Sequence, residues 1–310
     1  MTTILFAAGD RNWPAWEGPL REALAEAGIE ANLTQRCDPA EADALIYAPK
    51  GDTPKDFTPF INCRLVQSLW AGVEQIVTIP TLTQPLCRMV DPGLTQGMVE
   101  YVAGHVLRAH LGLDAIMNAQ DGTWAPVIPP LASQRRVAML GLGALGAACG
   151  QALAALGFNV LGWSRSEKSL DAITCYHGKA GLRAVLEQAN IVVTLLPATA
   201  ATENLLNAET LALLPRGASI INPGRGTLID DDALLAALDT GQIAQATLDV
   251  FRTEPLPPAH PYWAHPRVTV TPHIAADTRP VTAARVVAEN LRRMLANEPL
   301  LNRVDRDAGY

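Results

Sequence analysis

The stretch that decides the fold is residues 137–157, which read VAMLGLGALGAACGQALAALG. It opens with a short apolar run that predicts a buried strand, and it closes with small and apolar residues that predict a helix. Between the two, Gly141, Gly143 and Gly146 form a G-x-G-x-x-G pattern. A glycine-rich turn from strand to helix is typical of a doubly wound, mostly parallel α/β sheet.

The glycines of this turn indicate a dinucleotide site. Gly141 permits the tight turn, Gly143 lets backbone N–H groups approach a pyrophosphate, and Gly146 lets the helix pack closely on the strand. Ala144 and Leu145 begin the helix, whose N-terminus adds partial positive charge. The alternative is a glycine-rich turn without a ligand. The complete strand, helix and second strand around it favour the dinucleotide.

The end of the second strand, in the segment GWSRSEKS, bears on which dinucleotide is bound. Proteins that bind NAD usually carry an acid there to hold the ribose 2′-hydroxyl. This strand end has none, while Arg165 and Lys168 offer positive charge for a 2′-phosphate and Ser164 and Ser166 offer hydroxyl groups. We therefore expect NADP(H) to be preferred. Glu167 leaves NAD(H) as the alternative.

Three polar segments follow later strands of the same predicted sheet. Arg225 lies between two glycines in INPGRGTLID, Glu254 follows a strand in LDVFRTEPLP, and His273 follows the last strand in VTPHIAA. Ligands of open α/β sheets bind beyond the carboxyl ends of the strands, so these residues are expected at one rim. Each residue alone is also typical of an ordinary surface loop. Because all three follow a dinucleotide-binding unit, we interpret them together as catalytic residues rather than as ordinary loop residues.

This set of residues fits the reduction of a 2-oxo acid. A guanidinium bridges two substrate oxygens and polarises the ketone. As hydride reaches the carbonyl carbon, a protonated histidine donates a proton to the carbonyl oxygen. A neighbouring carboxylate favours the charged imidazolium. Glycines beside the arginine are expected to let backbone and substrate come close.

The composition of the whole chain argues against several other classes of protein. The chain has 310 residues, of which 49% are hydrophobic, which is enough for two domains with their own cores. A net charge of −7 gives no support for nucleic-acid binding, and the absence of a long uncharged apolar run predicts no membrane span. Five scattered cysteines, with no C-x-x-C pair, predict reduced thiols in a cytoplasmic protein and no metal site.

The order of segments predicts two α/β domains. Strand-like and helix-like runs alternate over the first ninety or so residues, and again from Arg136 onward. Helices are expected near 96–117 and 280–296, where the chain crosses between the domains. We therefore predict a substrate domain of residues 1–95 plus 280–310 and a dinucleotide-binding domain of residues 96–279, with the cleft between them.

Three blocks of the chain resemble signature blocks of the D-2-hydroxyacid dehydrogenase family: Asn222–Gly226, Asp249–Pro257 and Thr271–Ala275. The likeness covers essentially the whole chain. The shorter stretches GMVEYV, DVFRTEPLPP, TPHIAADTRP and VDRDAGY are most similar to the glyoxylate/hydroxypyruvate reductase A group of that family. One departure is Pro223–Gly224 before the arginine, where many members have Ala or Ser. Gly224 is expected to be tolerated and to loosen the arginine loop slightly.

The resemblance implies an active site of Arg225, Glu254 and His273. It also implies a flavodoxin-like substrate domain, a Rossmann dinucleotide-binding domain, a preference for NADPH, small 2-oxo acid substrates such as glyoxylate and hydroxypyruvate, and a homodimer formed through the cofactor domain. Further candidate cofactor contacts follow the later strands: Leu196, Pro197, Thr202, Asn222, Pro223, Gly224, Asp249 and Ala275.

In the same family, backbone N–H groups of a first-domain loop hold the substrate carboxylate, and SLWAGVE matches that loop. Ala71, Gly72 and Val73 are therefore candidates for this contact, together with Arg225 and His273. Successive small residues with unused amides suit an anion. Trp70 either forms a wall of the pocket or packs in the core. Further candidates for the cleft lining are Met98, Tyr101 and Arg279.

Two rival functions are considered. One is an NAD-dependent member of the same family acting on phosphoglycerate, formate or phosphite, which the missing acid at the second strand end disfavours. The other is a dinucleotide-sensing binding protein built on the same fold, with little turnover. The intact arginine, glutamate and histidine disfavour the sensor.

Overall fold

The computed structural model describes residues 1–306 and 309. The stretch VDRDAGY therefore lies partly outside the described residues, because it includes Asp307, Ala308 and Tyr310. The chain divides into two compact units. Unit 1 comprises Met1–Leu94 and the described residues from Asp277 onward, and unit 2 comprises Thr95–Ala276.

The strands are β1 Thr2–Ala7, β2 Ala31–Thr34, β3 Ala44–Tyr47, β4 Leu65–Ser68, β5 Leu86–Cys87, β6 Arg136–Leu140, β7 Asn159–Ser164, β8 Thr174–His177, β9 Ile191–Thr194, β10 Ala218–Asn222, β11 Ile243–Leu248 and β12 Val268–Val270. The α-helices are α1 Trp13–Glu26, α2 Glu74–Val77, α3 Pro92–Leu111, α4 Leu113–Asn118, α5 Ala144–Ala155, α6 Gly178–Leu186, α7 Ala208–Leu213, α8 Asp231–Asp239 and α9 Pro280–Ala296.

The sheet of unit 1 is five-stranded, in the order β2-β1-β3-β4-β5, and its strand pairs are parallel. This is the flavodoxin-like order of a doubly wound sheet. Helices α1 and α9 pack together on one face, where Leu20 and Leu291 are buried. Phe57 and Ile76 belong to the buried cluster on the other face. Both faces are covered, which explains why β3 and β4 are buried at every position.

The sheet of unit 2 is seven-stranded, in the order β12-β11-β10-β9-β6-β7-β8, again with parallel pairs. From β6 the chain first builds outward through β7 to β8, and then crosses back to place β9 on the other side of β6. The strand order therefore reverses between β6 and β9, which is the switch point where ligands of such sheets bind. The predicted pair of doubly wound domains, flavodoxin-like and Rossmann, is confirmed.

The two faces of this second sheet are covered by separate apolar clusters. One contains Leu140, Ile220 and Leu248, and the other contains Met139, Val193 and Ile221, so that neighbouring residues of one strand point to opposite clusters. Burial of each such side chain stabilises the fold by roughly 1.5–3 kcal/mol. Within the described residues, none of the helices combines the length and the apolar character needed to span a membrane.

Candidate active site

The glycine-rich turn lies at the switch point of unit 2, between β6 and α5. Gly141 has a φ of +108°, and a Cβ there would lie 2.4 Å from the Leu195 carbonyl oxygen. A Cβ at Gly146 would lie 1.8 Å from the Gly141 carbonyl oxygen. By contrast, a Cβ at Gly143 would meet nothing within 4 Å. Two of the glycines are thus required for packing within the protein, while the third leaves open space beside the first turn of α5.

The start of α5 is accessible on the same side. Gly143 and Ala144 are exposed, and Leu145 is half-buried. Gly143 stands at the N-cap of the helix with an extended backbone. The N–H groups of a helix's first turn have no partners within the helix and carry partial positive charge. This end of α5 is therefore a suitable place for an anionic group.

The residues predicted to choose between the dinucleotides follow β7. Ser164 is the last residue of that strand, and its hydroxyl donates to the Ser166 carbonyl oxygen at 2.7 Å, closing the turn. Arg165, Ser166 and Lys168 are exposed. The Lys168 ammonium donates to the Leu142 carbonyl oxygen at 2.7 Å. The structure therefore brings Lys168 to the glycine turn, whereas the Ser164 hydroxyl is engaged locally.

The loop after β9 lies against the glycine turn through the Leu195 carbonyl. Leu196 and Pro197 are half-buried beside it. The Thr202 hydroxyl donates to the Pro197 carbonyl oxygen at 2.6 Å and accepts from the Thr199 N–H at 2.9 Å. Thr202 thus fixes the shape of this loop from within.

Asn222, at the end of β10, organises the arginine loop. Its side chain is buried, with only 1% exposed. The amide oxygen accepts from the Thr194 hydroxyl at 2.6 Å and from the Gly224 N–H at 3.1 Å, while the amide nitrogen donates to the Arg225 carbonyl oxygen at 2.9 Å. The buried side chain of Asn222 therefore shapes the loop, and the cofactor contact expected of this residue stays a prediction.

The glycines around Arg225 serve packing within the protein. The prediction that Gly224 loosens the loop is wrong, because a Cβ there would lie 2.7 Å from the Thr194 carbonyl oxygen. Gly226 is expected to admit the substrate, but the close neighbour at that position is the peptide between Phe251 and Arg252, whose carbon and nitrogen atoms would lie 2.0 and 2.4 Å from a Cβ. Pro223, like Gly224, is buried. The arginine loop is tightly packed.

Arg225 itself stays half-buried on this loop. One nitrogen of its guanidinium donates to the Gly224 carbonyl oxygen at 2.6 Å. This bond orients the planar group from its own backbone. A guanidinium has five N–H donors in a fixed fork, a geometry that suits it to bind two oxygens of a ligand at once.

His273 and Glu254 form a hydrogen-bonded pair. The histidine Nδ1 lies 2.8 Å from Glu254 Oε2, and the other carboxylate oxygen accepts from the Phe251 N–H at 2.9 Å. The side chain of His273 is 55% exposed and that of Glu254 is 36% exposed. The carboxylate fixes the Nδ1 edge of the ring. Among the described residues, the Nε2 edge makes no hydrogen bond, so it is available to a substrate.

The backbone at His273 is held in an unusual conformation, with a φ of +53°. A left-handed conformation is unfavourable by roughly 1–2 kcal/mol for a residue other than glycine. The Asp249 carboxylate accepts from the N–H groups of Ile274 and Ala275, at 2.9 Å each. The Asp249 carbonyl oxygen accepts from the His273 N–H at 2.9 Å. Asp249 is entirely buried and its side chain holds this turn, while the cofactor contacts expected of Asp249 and of buried Ala275 stay predictions.

Arg252 is a site residue that the sequence does not single out. Its guanidinium donates to the Ile229 carbonyl oxygen at 2.6 Å and to the Asn204 side chain. It also lies 3.7 Å from carboxylate oxygens of Glu203 and Asp231. Arg252 thereby ties the loop that carries Glu254 to the loops after β9 and β10. Its place in the block DVFRTEP is the one signal that could have identified it.

In unit 1, the predicted carboxylate loop follows β4. The N–H groups of Ala71, Gly72 and Val73 donate to none of the described residues. Three successive amides without partners fit an anion. Trp70 is half-buried against the core of unit 1, and the Lys50 ammonium lies 5.8 Å from the centre of its ring. Lys50 was not identified from the sequence, because only the fold brings the loop after β3 beside the loop after β4.

Three further residues were predicted to line the cleft: Met98, Tyr101 and Arg279. Met98 is buried in the core of unit 2, and its place in a cleft stays a prediction. Tyr101 is half-buried, and its hydroxyl lies 2.7 Å from the Thr271 hydroxyl. Arg279 is exposed and stands at the N-cap of α9 in unit 1.

A seven-stranded doubly wound sheet with this glycine turn, an arginine and a His–Glu pair at its strand ends defines the class of dinucleotide-dependent dehydrogenases. Residues 105–275 match the D-isomer specific 2-hydroxyacid dehydrogenase family, over its NAD binding domain. The chain is also 38% identical over 300 residues to glyoxylate/hydroxypyruvate reductase A of Serratia proteamaculans (strain 568), which covers 90% of this chain and 95% of that protein. The chain therefore belongs to the D-isomer specific 2-hydroxyacid dehydrogenase family, and the resemblance stated from the sequence is confirmed.

Two solved structures are similar over the whole chain. A D-isomer specific 2-hydroxyacid dehydrogenase from Xanthobacter autotrophicus Py2, in complex with NADPH and MES, has a TM-score of 0.92 at 41% identity, covering 100% of this chain and 99% of that one. An NADPH-dependent glyoxylate/hydroxypyruvate reductase from Sinorhizobium meliloti, in complex with NADP and sulfate, has a TM-score of 0.87 at 32% identity and covers both chains completely.

Proposed function

We propose that this protein reduces small 2-oxo acids, glyoxylate and hydroxypyruvate, to 2-hydroxy acids with NADPH. The observation that carries the proposal is the pair formed by His273 Nδ1 and Glu254 Oε2, 2.8 Å apart, with more than half of the histidine side chain exposed. A histidine oriented by a carboxylate on one nitrogen is suited to pass a proton from the other. The names of the relatives from Serratia and Sinorhizobium support the choice of substrate.

The chain's residues fit NADP(H). Gly143 leaves open space at the N-terminus of α5, where the N–H groups attract phosphate. The exposed basic groups of Arg165 and Lys168 follow β7, and Lys168 already reaches the glycine turn. The similar structures from Xanthobacter and Sinorhizobium are complexes with NADPH and NADP, which supports the same preference here. When bound, the cofactor supplies the hydride.

His273 acts as the proton donor in this proposal. Glu254 accepts from the Nδ1–H group and orients the ring, so that the Nε2–H group donates to the substrate carbonyl oxygen as negative charge develops there. In the opposite direction the same nitrogen accepts the proton of the 2-hydroxyl group. The bond from the Phe251 N–H keeps the carboxylate in place through the cycle.

Arg225 binds the substrate in this proposal. The fork of its guanidinium bridges the keto and carboxylate oxygens, which positions the substrate and stabilises charge on the keto oxygen. We propose that the N–H groups of Ala71, Gly72 and Val73 also bind the carboxylate. Their lack of partners among the described residues supports this role.

We further propose a homodimer formed through unit 2. The segment between α4 and β6 carries Trp124, Val127, Ile128 and Leu131, whose exposed fractions are 94, 77, 90 and 72%. Four large apolar side chains exposed within one short segment suggest a contact site, and two-fold dimers are the commonest oligomers. Sedimentation velocity of an Ile128→Asp variant should show a monomer where the unaltered protein shows a dimer.

A cytoplasmic location is also proposed, because the cysteines of the described chain are free thiols.

The first test of the function follows cofactor oxidation with purified protein. NADPH and NADH are each mixed with glyoxylate and with hydroxypyruvate, and the absorbance of the reduced cofactor is recorded. We expect NADPH to be oxidised with at least one of the two acids, and faster than NADH. Faster oxidation of NADH would reject the cofactor preference and keep the reaction. Tight cofactor binding without oxidation by either acid would reject the proposed substrates.

A further inference from the structure

Two hydroxyl groups connect helix α3 to the turn that carries His273. The Tyr101 hydroxyl lies 2.7 Å from the Thr271 hydroxyl, although the two residues are 170 positions apart in the chain. The Thr271 hydroxyl in turn lies 2.6 Å from Asp249 Oδ1. The side chains thus form a continuous chain of hydrogen bonds from the helix to a buried carboxylate.

The direction of these hydrogen bonds follows from the number of protons. The Asp249 carboxylate accepts from Thr271, since an ionised carboxylate has no proton to give. Thr271 has one hydroxyl proton, which is used in that bond, so Tyr101 must be the donor to the Thr271 oxygen. Burial raises the pKa of the Tyr101 phenol, so this donor keeps its proton over the working pH range.

The buried carboxylate needs these donors. Asp249 is 0% exposed, and its oxygens accept from the Thr271 hydroxyl and from two backbone N–H groups. A buried charge with too few partners is costly, and a carboxylate that loses a donor moves toward others. The N–H groups that would follow it belong to Ile274 and Ala275, directly after His273. Any shift of the carboxylate is therefore transmitted to the strained turn at the histidine.

We propose that Tyr101 and Thr271 are positioning residues for the proton donor: their hydroxyl groups fix the Asp249 carboxylate, which fixes the turn and thereby the imidazole of His273 against Glu254. This inference rests on the proposed function of His273. It goes further by assigning a role to a side chain of α3, an element that carries none of the Arg225, Glu254 and His273 group.

Three substitutions separate the hydroxyl groups from the packing. Thr271→Val keeps the β-branched shape at the strand end and removes the donor. Thr271→Ser keeps the donor and serves as the rescue variant. Tyr101→Phe removes only the outer hydroxyl. Tyr47→Phe is the matched control, because Tyr47 is a buried tyrosine of unit 1 whose hydroxyl donates to the Pro54 carbonyl oxygen at 3.0 Å.

For Thr271→Val we expect kcat to fall about 10- to 100-fold, since small misplacements of a catalytic group have effects of this size. We expect KM for the 2-oxo acid to change less than kcat, and the pH profile of kcat/KM to shift. Tyr101→Phe should change the same quantities in the same direction by a smaller factor. Thr271→Ser should restore kcat and the profile, and Tyr47→Phe should leave both unchanged. Thermal unfolding confirms that each variant is folded.

A second readout does not depend on turnover. In protein labelled with ¹⁵N-histidine, the Nδ1–H signal of His273, identified by its loss in His273→Gln, should be sharp in the unaltered protein and broadened in Thr271→Val. If the unaltered protein reduces no small 2-oxo acid, the proposed function fails, and this signal still tests the positioning. An unchanged signal and unchanged pH profile in Thr271→Val would overturn the proposal. An effect of Thr271→Val without any effect of Tyr101→Phe would remove Tyr101 from it.

Discussion

Gly226 lies directly against the peptide bond that follows Phe251, so that a Cβ on residue 226 would stand 2.0 Å from the Phe251 carbonyl carbon. This contact joins the loop after β10, which carries Arg225, to the loop after β11, which carries Glu254. The same stretch of backbone supplies the Phe251 N–H that donates to the Glu254 carboxylate at 2.9 Å. A shift of one loop must therefore displace the other, so the positions of Arg225 and Glu254 depend on each other.

Gly226→Ala should consequently reduce activity strongly. The atoms around a new Cβ are backbone atoms, so both loops must shift, and overpacking of this kind costs about 1–3 kcal/mol or more of stability. We expect kcat/KM to fall by about 100-fold, because the arginine and glutamate are displaced together. Gly104→Ala is the control: Gly104 lies in α3, and a Cβ there would meet nothing within 4 Å. Equal effects of the two substitutions would contradict the linkage.

Gly143→Ala should separate cofactor binding from stability. The space around Gly143 is open and its φ is −72°, so alanine is tolerated by the fold. If that space receives a pyrophosphate, the added methyl group should raise the KM for NADPH about 10-fold or more, since a lost charge-assisted hydrogen bond is worth roughly 1.5–3 kcal/mol. The melting temperature should stay the same or rise. An unchanged KM for NADPH would place the pyrophosphate elsewhere.

Both sheets, and the candidate catalytic residues that follow strands of the second sheet, could be predicted from the sequence. Those predictions need only local patterns. A strand, a glycine turn and a helix occur within 20 consecutive residues, and Arg225, Glu254 and His273 follow the ends of their strands by three, six and three residues. Parallel pairing then brings the strand ends to one edge without further information. The two apolar cores follow for the same reason, since strands buried on both faces read as continuous apolar runs.

The roles of Asn222 and Asp249 could not be predicted in the same way. Both look like polar groups at strand ends, where a ligand is expected. Their partners Thr194 and Thr271 come from neighbouring strands, and only the packed sheet reveals that these bonds bury the side chains. The tight fit of Gly224 likewise depends on the Thr194 carbonyl, 30 residues earlier in the chain.

Lys168 should contribute to the preference for NADPH. Its ammonium donates to the Leu142 carbonyl oxygen at 2.7 Å, which holds a positive charge beside the glycine turn. Lys168→Met keeps the length of the side chain and removes the charge. We expect the KM for NADPH to rise about 10- to 100-fold, as for a lost charge-assisted hydrogen bond, with little change for NADH. Lys179→Met, at an exposed lysine of α6, serves as the matched control. A parallel rise for both cofactors would indicate a structural role.

His273→Ala should lower turnover about 10²- to 10⁴-fold, the usual contribution of a general acid. The matched control is His265→Ala, which removes another histidine paired with a carboxylate, Asp239, at 3.3 Å. Near-normal turnover of His273→Ala would reject the assignment.

Arg225→Ala should instead weaken substrate binding and carbonyl polarisation together, raising KM and lowering kcat. Unchanged values of both would remove Arg225 from its proposed role.

The stability of unit 2 should decrease in mild acid because of buried His110 and half-buried His105. His110 packs edge-on against Phe158, and burial lowers its pKa, as it does for His105. The unfolded chain therefore binds more protons than the folded protein below the ordinary histidine value of about 6.5. The stabilising contribution is complete above that pH and is lost as the pH falls toward the lowered folded values. Urea unfolding should give a smaller free energy of unfolding at pH 5 than at pH 7.5.

His110→Leu should reduce this pH dependence, because leucine fills a similar volume and does not titrate. His177→Leu, at an exposed histidine of the same unit, is the control and should leave the dependence unchanged. The comparison is made on the difference in free energy of unfolding between the two pH values, so a uniform change in stability cancels. If His110→Leu retains the full difference, the acid sensitivity arises from other groups, and His105 becomes the next position to test.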